Sequence, residues 1–412
     1  MTMTSVPPRE HLYRDWLLER LSHYLGRRPA PDSDFAVSGL DSVAALSLYG
    51  DIEEAFGPLV EPTDIREYPT ARLLARHLAC RDVRPGAGHR VRTAFVFTGL
   101  GAQHPGMTAA LYIQCPDYRT ALDEAAEALL PYTGVSVVDL ILSGDTRLHQ
   151  TAFAQPSLFA VGYALARMLE QAGVVPAAVL GQGIGEYAAA VVVGALTLPD
   201  AAKLVAIRGA FLQYLPSGGG MMATGLSPYE AAHLAAPEAT VGIGVINGPR
   251  STVLSGDRGA LERIEDQLRA RGQRCIHLPG THAFHSPLME PAVPRFEAVA
   301  RRLPGGAPRL PFYSTVRGRL TTEPLHSGYW TEQITAPVRF AEAARQLLDQ
   351  QAPSHVVEIG PRTVLIPYLR RLAGRGTPAC RMACAGPRSG AEEVRKLLAE
   401  LQARPVSAPV GS

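Results

Sequence analysis

Residues 177–196 read AAVLGQGIGEYAAAVVVGAL: a short apolar run, a turn with glycine at 181, 183 and 185, then a stretch rich in Ala and Val. AAVL lies between Pro176 and Gly181 and has strand length, while the continuation from Glu186 to Ala195 reads as a nearly buried helix. The segment is therefore a strand, a tight turn and a helix. TAFVF at 93–97 runs in the same way into GLGAQ at 99–103, and VVEIG at 356–360 ends on another glycine. Strands alternating with helices predict an α/β core with a mostly parallel sheet. A strand, a G-x-nucleophile-x-G turn and a helix make a nucleophile elbow, in which a strained turn presents the central side chain and nearby amides stabilise an oxyanion. Here the central position is Gly183.

Between 217 and 280 the rhythm changes. MMATG, a helix from Pro228, TVGIGVI, STVLSG, an amphipathic helix from Ala260 to Arg271 and RCIHL follow one another. That is the β-α-β-β-α-β order of a ferredoxin-like insert, and a cleft between it and the core would suit a ligand. The expected plan is a large domain over 91–402, with its core in 91–216 and 281–402 and its insert in 217–280, then a flexible tail at 403–412. RDVRPGAGHR at 81–90 reads as a linker.

Ahead of the linker, residues 1–80 form a small all-α bundle. Tyr13, Leu17, Leu21 and Tyr24, with Trp16 and Leu25, give helical periodicity over 9–25, which Gly26 ends. A second helix begins at Asp41 and Ser42 and buries Val43, Leu46, Tyr49, Ile52 and Phe56; a third opens at Pro69 and Thr70 and carries Leu73, Leu74 and Leu78 inward. Ser42 is by itself explained as a helix N-cap.

Composition narrows the function classes. Of 412 residues 46% are hydrophobic and 19% charged, and no apolar run is long enough to span a membrane. Residues 1–80 hold 8 Arg against 12 Asp and Glu, a net −4, which leaves +6 for the rest of the +2 chain. The basic residues are nearly all Arg, in no stripe interleaved with aromatics, so nucleic acid is a poor partner. Cysteines at 80, 115, 275, 380 and 384 form no framework, the Cys380 and Cys384 pair lacks a second ligand pair for a metal, and the amino terminus lacks the blocks of a signal peptide. A reducing cytoplasm is expected.

GLDSV at 39–43, the acidic run Asp51, Glu53 and Glu54, and YPTARLLARHL at 68–78 resemble acyl carrier proteins. The resemblance implies 4'-phosphopantetheine on Ser42, next to Asp41, added by a phosphopantetheinyl transferase. From 93 to 400 the chain resembles malonyl-CoA:acyl carrier protein transacylases and polyketide synthase acyltransferase domains. The motifs that carry this are GLGAQ and PGM within 99–107, AQPSLFAV at 154–161, GEYAAAVVVGAL at 185–196, IRGAFLQ at 207–213, NGP at 247–249, THAFHSPLM at 281–289, YSTVRG at 313–318, YWTEQITAPVRF at 329–340 and VEIGPRTVL at 357–365.

This second resemblance implies a ping-pong transfer from coenzyme A through an acyl-serine to a carrier thiol. By motif, His285 is the base, Arg208 binds a malonyl-type carboxylate, the amides of Leu100 and Ile184 make the oxyanion hole, and Gln182 and Asn247 face the substrate. Malonyl-CoA or another acyl-CoA is the implied substrate, and a polyketide or related assembly line the implied setting. The chain departs from the pattern where the chemistry sits: GQGIGE stands for the family's GHSxGE, so Gly183 replaces the serine and Gln182 the histidine, and Leu100 replaces a glutamine. Two function classes follow. One is a carrier module with a degenerate acyltransferase; the other is a transferase or thioesterase in which His285 assists direct attack without an acyl-serine. The plainer readings of the same residues are a leftover buried His285, an Arg208 paired with an acidic neighbour, and a Glu186 that serves the helix dipole. Ser286 and Thr98 are nearby hydroxyls that lie off the elbow.

Overall fold

The computed structural model describes residues 8–56, 59–60, 64–81, 91–373, 378–384, 386 and 389–402, so the expected linker beyond Arg81 and the tail at 403–412 lie outside the described residues. The chain divides near residue 90 into two compact units.

The smaller unit contains α1 (Pro8–Leu25), α2 (Ser42–Phe56), α3 (Asp64–Glu67) and α4 (Ala71–Arg81). Tyr13, Leu17 and Leu21 of α1 pack with Leu48 and Ile52 of α2 and with Leu74, Ala75 and Leu78 of α4. Phe56 meets Tyr13 and Trp16 edge-on, with centroids 4.9 and 4.7 Å away. The side chains of Val43 and Leu46 lie outside the described residues. Leu73 corrects the expectation made for it: it is 45% exposed, because at 100° per residue the inward face of α4 is filled by 71, 74, 75 and 78 and its neighbour must point away. The single-turn α3 was not signalled by periodicity, since one turn is too short to show any.

Among the described residues the larger unit has ten strands: β1 (Thr93–Phe97), β2 (Ala178–Gly181), β3 (Gly219–Thr224), β4 (Gly242–Gly248), β5 (Ser251–Asp257), β6 (Cys275–His277), β7 (Phe312–Ser314), β8 (Arg319–Thr321), β9 (His355–Ile359) and β10 (Ala379–Met382). Six make one sheet in the order β10-β9-β1-β2-β7-β8. All its pairings are parallel except β7 with β8. The period-two alternation of a strand divides β1 between two cores: Phe95 and Phe97 enter the larger, with the helix Thr151–Gln171, while Ala94 and Val96 enter the other, beside Phe340, Leu347 and Leu369. Both faces are thus covered, which explains why β1 reads as a continuous apolar run.

The other four strands form an antiparallel sheet in the order β4-β5-β3-β6. Two helices, Pro228–Ala235 and Arg258–Ala270, connect them, and both bury leucines against the sheet. The second helix starts two residues before the expected Ala260 because Asp257 accepts from the Ala260 amide at 3.0 Å. No helix among the described residues is long and apolar enough to cross a membrane.

The last helix, Ala391–Gln402, is fastened to the sheet edge by Glu400, which lies 2.7 Å from Arg381 and 3.3 Å from His355. Hydrogen bonds from His355 and Arg381 hold its carboxyl down to about 2, from an ordinary 4.5. The stabilisation is therefore complete above pH 4.5 and lost as pH falls toward 2. Partial exposure screens the cluster, so Glu400→Gln is expected to cost about 1 kcal/mol near neutrality. In thermal melts its difference from wild type should shrink across that acid window.

Candidate functional site

β1 and β2 are parallel neighbours with Phe97 opposite Gly181, so the turns that follow them emerge side by side at the carboxyl edge of the sheet. The outer glycines of GQGIG are fixed by close approach. A Cβ on Gly181 would lie 2.3 Å from the Glu186 nitrogen, and one on Gly185 would lie 2.6 Å from the Phe97 oxygen. Gly181→Ala should accordingly destabilise the larger unit by about 3 kcal/mol or more, read as a lower urea midpoint. The middle glycine differs: Gly183 has φ +54°, and a Cβ there would meet only His285 Nε2, at 3.5 Å. The turn has an elbow's left-handed backbone, with room for a side chain that this sequence does not supply.

His285 itself has φ +60° and is nearly buried. Its Nδ1 lies 3.0 Å from the Ala336 oxygen. A carbonyl only accepts, so Nδ1 carries the proton and Nε2, beside Gly183, keeps its lone pair. Burial, and then the Arg208 charge, push the imidazole down to about 3, so it remains a neutral acceptor at ordinary pH.

Arg208 is 2% exposed and donates to Gln155 Oε1 at 2.6 Å. Among the described residues no carboxylate pairs with it, so the acidic partner considered for it is replaced by an uncharged amide. Its Nε has no partner. A buried guanidinium that no carboxylate pairs with costs several kcal/mol, on the order of the penalty for one desolvated ion.

Glu186 corrects a second expectation. It opens the helix Gly185–Val192 but is fully buried, and it accepts from the Thr315 amide (2.6 Å) and hydroxyl (3.0 Å), Tyr329 OH (2.9 Å) and Gln333 Nε2 (2.7 Å). Burial raises its pKa against these four donors. The Gln333 amide also donates to the Gly183 oxygen at 3.0 Å, so the carboxylate holds the elbow from beneath. The helix dipole alone is therefore not a sufficient account of this residue.

Gln182 Nε2 donates to Asn247 Oδ1 at 3.0 Å, which ties the elbow to β4 of the four-stranded sheet. Leu100 and Ile184 lie on the two adjacent turns, and among the described residues neither amide has a protein acceptor. Ser286 is engaged elsewhere: its hydroxyl donates to Ala283 O at 2.7 Å and caps the turn starting at Pro287. Thr98 fits against Gly360, where a Cβ would come 2.1 Å from its hydroxyl. His285, Arg208, Gly183, Gln182 and Asn247 thus belong to one neighbourhood, while Gln155 and Gln333 had been quoted within motifs without a role. For Gln155 the signal is an amide inside an otherwise apolar helical stretch, whereas Gln333, beside Thr331, Glu332 and Thr335, gives none. A shallow surface recess lined by Ser136, Asp139 and Arg147 carries none of this chemistry.

In the smaller unit, the Ala44 amide donates to Asp41 Oδ1 at 2.8 Å, so Asp41 caps α2 and Ser42 is its first helical residue. The capping duty considered for Ser42 belongs to its neighbour.

Comparison with known proteins agrees with both halves. Residues 94–402 match the acyl transferase domain model, and residues 15–78 match the phosphopantetheine attachment site model. Covalent phosphopantetheine is accordingly the cofactor of the smaller unit. The chain is 41% identical over 283 residues to polyketide synthase GfsB of Streptomyces halstedii, an alignment covering 68% of this chain and 5% of that protein. It is 40% identical over 281 residues to the phenolphthiocerol synthesis polyketide synthase Pks15/1 of Mycobacterium marinum, covering 67% of this chain and 13% of that one. It therefore spans only a small fraction of these curated relatives. Among solved structures, the acyltransferase domain from the second module of the salinomycin polyketide synthase aligns with TM-score 0.71 at 35% identity, over 80% of each chain. The loading acyltransferase of the avermectin synthase aligns with TM-score 0.70 at 33% identity, over 76% of this chain and all of that one. The chain belongs to the acyl transferase domain family, with a phosphopantetheine attachment domain preceding that fold.

Proposed function

We propose that this chain is a carrier protein joined to a degenerate acyltransferase, serving polyketide or related assembly in the cytoplasm, with its phosphopantetheine on Ser42. The arm supplies a thiol that holds an acyl group as a thioester, and a tethered thiol delivers that group at high effective concentration to a neighbouring enzyme. A phosphopantetheinyl transferase and assembly-line enzymes are the partners this reading requires. The domain plan is a carrier over 1–80, a linker over 81–90 and an acyltransferase-like domain over 91–402 with a ferredoxin-like insert at 217–280.

The observation that carries the reading is Gly183. Its backbone has the elbow geometry and faces the acceptor nitrogen of His285, yet it has no oxygen with which to form an acyl-enzyme. Loss of a serine nucleophile costs about six orders of magnitude in turnover, which leaves binding as the principal capacity of the site. Arg208 and the amides of Leu100 and Ile184 then hold a carboxylated acyl thioester such as malonyl-CoA, without covalent capture.

One observation favours the second reading, a working transferase or thioesterase. The space above Gly183 lies beside His285 Nε2 and suits a water or an incoming thiol. His285 would take the proton as water or thiol attacks the thioester carbonyl, then return it to the expelled coenzyme A thiolate. Arm loading separates the two readings. The holo chain with malonyl-CoA is expected to acquire malonyl on its arm only when an active malonyl-CoA transacylase is added. Loading or hydrolysis by the chain alone, lost in His285→Ala, would establish the second reading instead.

A further inference from the structure

His285 holds its acceptor nitrogen over Gly183 from a left-handed backbone, φ +60°, which a residue with a side chain keeps only where its surroundings over-determine it. Those surroundings come from the four-stranded sheet. Ser255 of β5 is fully buried and donates its hydroxyl to the Phe284 oxygen at 2.6 Å. That oxygen and the His285 amide share one rigid peptide plane, so the serine fixes the plane from which φ of His285 is measured. Among the described residues no backbone amide donates to the Phe284 oxygen, which leaves this work to Ser255.

The strands are shaped to reach the segment. A Cβ on Gly244 of β4 would lie 2.9 Å from the Ser255 Cβ and 3.4 Å from the Phe284 oxygen, and one on Gly219 of β3 would lie 2.7 Å from the Ala283 nitrogen. Glycine at both positions lets the sheet close on residues 283 and 284. The same sheet also holds the other side of the imidazole. The Val338 amide donates to the Gly244 oxygen and the Ile246 amide to the Val338 oxygen, each at 2.8 Å, two residues beyond the Ala336 oxygen that faces His285 Nδ1. Thr252, three residues earlier on β5, gives the contrast: its buried hydroxyl donates to the Leu226 oxygen at 3.0 Å, beside the sheet's own strand β3 and far from this segment in sequence.

We infer that Ser255 is a positioning residue for His285, through which the four-stranded sheet sets the direction of the acceptor nitrogen at the elbow. The inference deepens the reading of the elbow given above and rests on His285 standing over Gly183 with its proton on Nδ1.

The test compares Ser255→Ala with Thr252→Val, which removes a buried hydroxyl bond from the same strand without touching residue 284. Thermal melts of the full chain are recorded beside long-range proton–nitrogen correlations of its histidine rings, with His285 assigned by its loss in His285→Gln. A ring locked with its proton on Nδ1 gives a pattern distinct from that of a free imidazole, which exchanges its proton between the two nitrogens. Both variants are expected to melt below wild type, and Ser255→Ala alone to lose the Nδ1–H pattern of His285. Retention of that pattern in folded Ser255→Ala would overturn the inference, and so would equal loss in both variants, which marks a general loosening. Should Ser255→Ala not fold, Ser255→Cys, with a weaker donor at the same place, is expected to give a mixed pattern, and an unchanged one there overturns the inference equally. A wild type whose His285 already exchanges between the two forms would remove the placement of His285 at the elbow together with the role of Ser255.

Discussion

Gly183→Ser is expected to give the larger unit a covalent malonyl-enzyme, at a rate at least about a hundredfold above background, because a placed nucleophile is worth several kcal/mol even in imperfect surroundings. The geometry favours it. A Cβ at 183 meets His285 Nε2 at 3.5 Å, an ordinary contact, so an oxygen one bond further out is within reach of that lone pair. The imidazole is already neutral, and its proton is held on Nδ1 by the Ala336 oxygen. Opposing this, φ +54° costs an L-residue about 1–2 kcal/mol, which the network of Glu186, Gln333 and the Gly183 oxygen must withstand. Adding Gln182→His should raise the yield further, since an imidazole N–H can still donate to Asn247. Time-resolved intact mass reads both variants. A folded double variant that binds malonyl-CoA but acquires no adduct would contradict a preorganised site.

Ser42→Ala is expected to abolish arm addition by a phosphopantetheinyl transferase while barely changing stability. The loss follows from removing the only oxygen the arm can be attached to at that position, and the stability follows from Asp41: because it carries the cap, as the Ala44 amide indicates, α2 loses little when the serine is removed. No second site should substitute, since Ser38 precedes the helix and Ser47 lies within it, away from its first turn. Intact mass after treatment with the transferase and coenzyme A checks the loss, and far-ultraviolet circular dichroism checks the helix. Modification that persists in Ser42→Ala would move the attachment elsewhere.

The parts of this molecule that could be read from sequence are those whose physics is local. β1 was legible to the residue because five positions buried on both faces, four of them apolar, leave no alternation to interpret. The elbow was legible because its close approaches admit only hydrogen at 181 and 185. Leu73 was misplaced because adjacent leucines do not reveal which of two helix faces is inward. Glu186 was underread for a different reason: Thr315, Tyr329 and Gln333 lie 129, 143 and 147 positions away, and no local pattern predicts that they converge on one carboxylate. Ser255 gave no signal, since a serine inside a strand reads as part of the sheet until its hydroxyl is found on Phe284, 29 positions away.

The central claim is that the elbow is formed and empty of its nucleophile, so that acyl groups reside on the carrier arm and never on the larger unit. The most direct measurement is peptide-mapped mass spectrometry of the wild-type holo chain after malonyl-CoA and an active malonyl-CoA transacylase. The account predicts malonyl on the phosphopantetheine of the Ser42 peptide alone, with the peptides containing residues 181–186 and 281–289 unmodified. A malonyl adduct on the larger unit, at Ser286 above all, would contradict it.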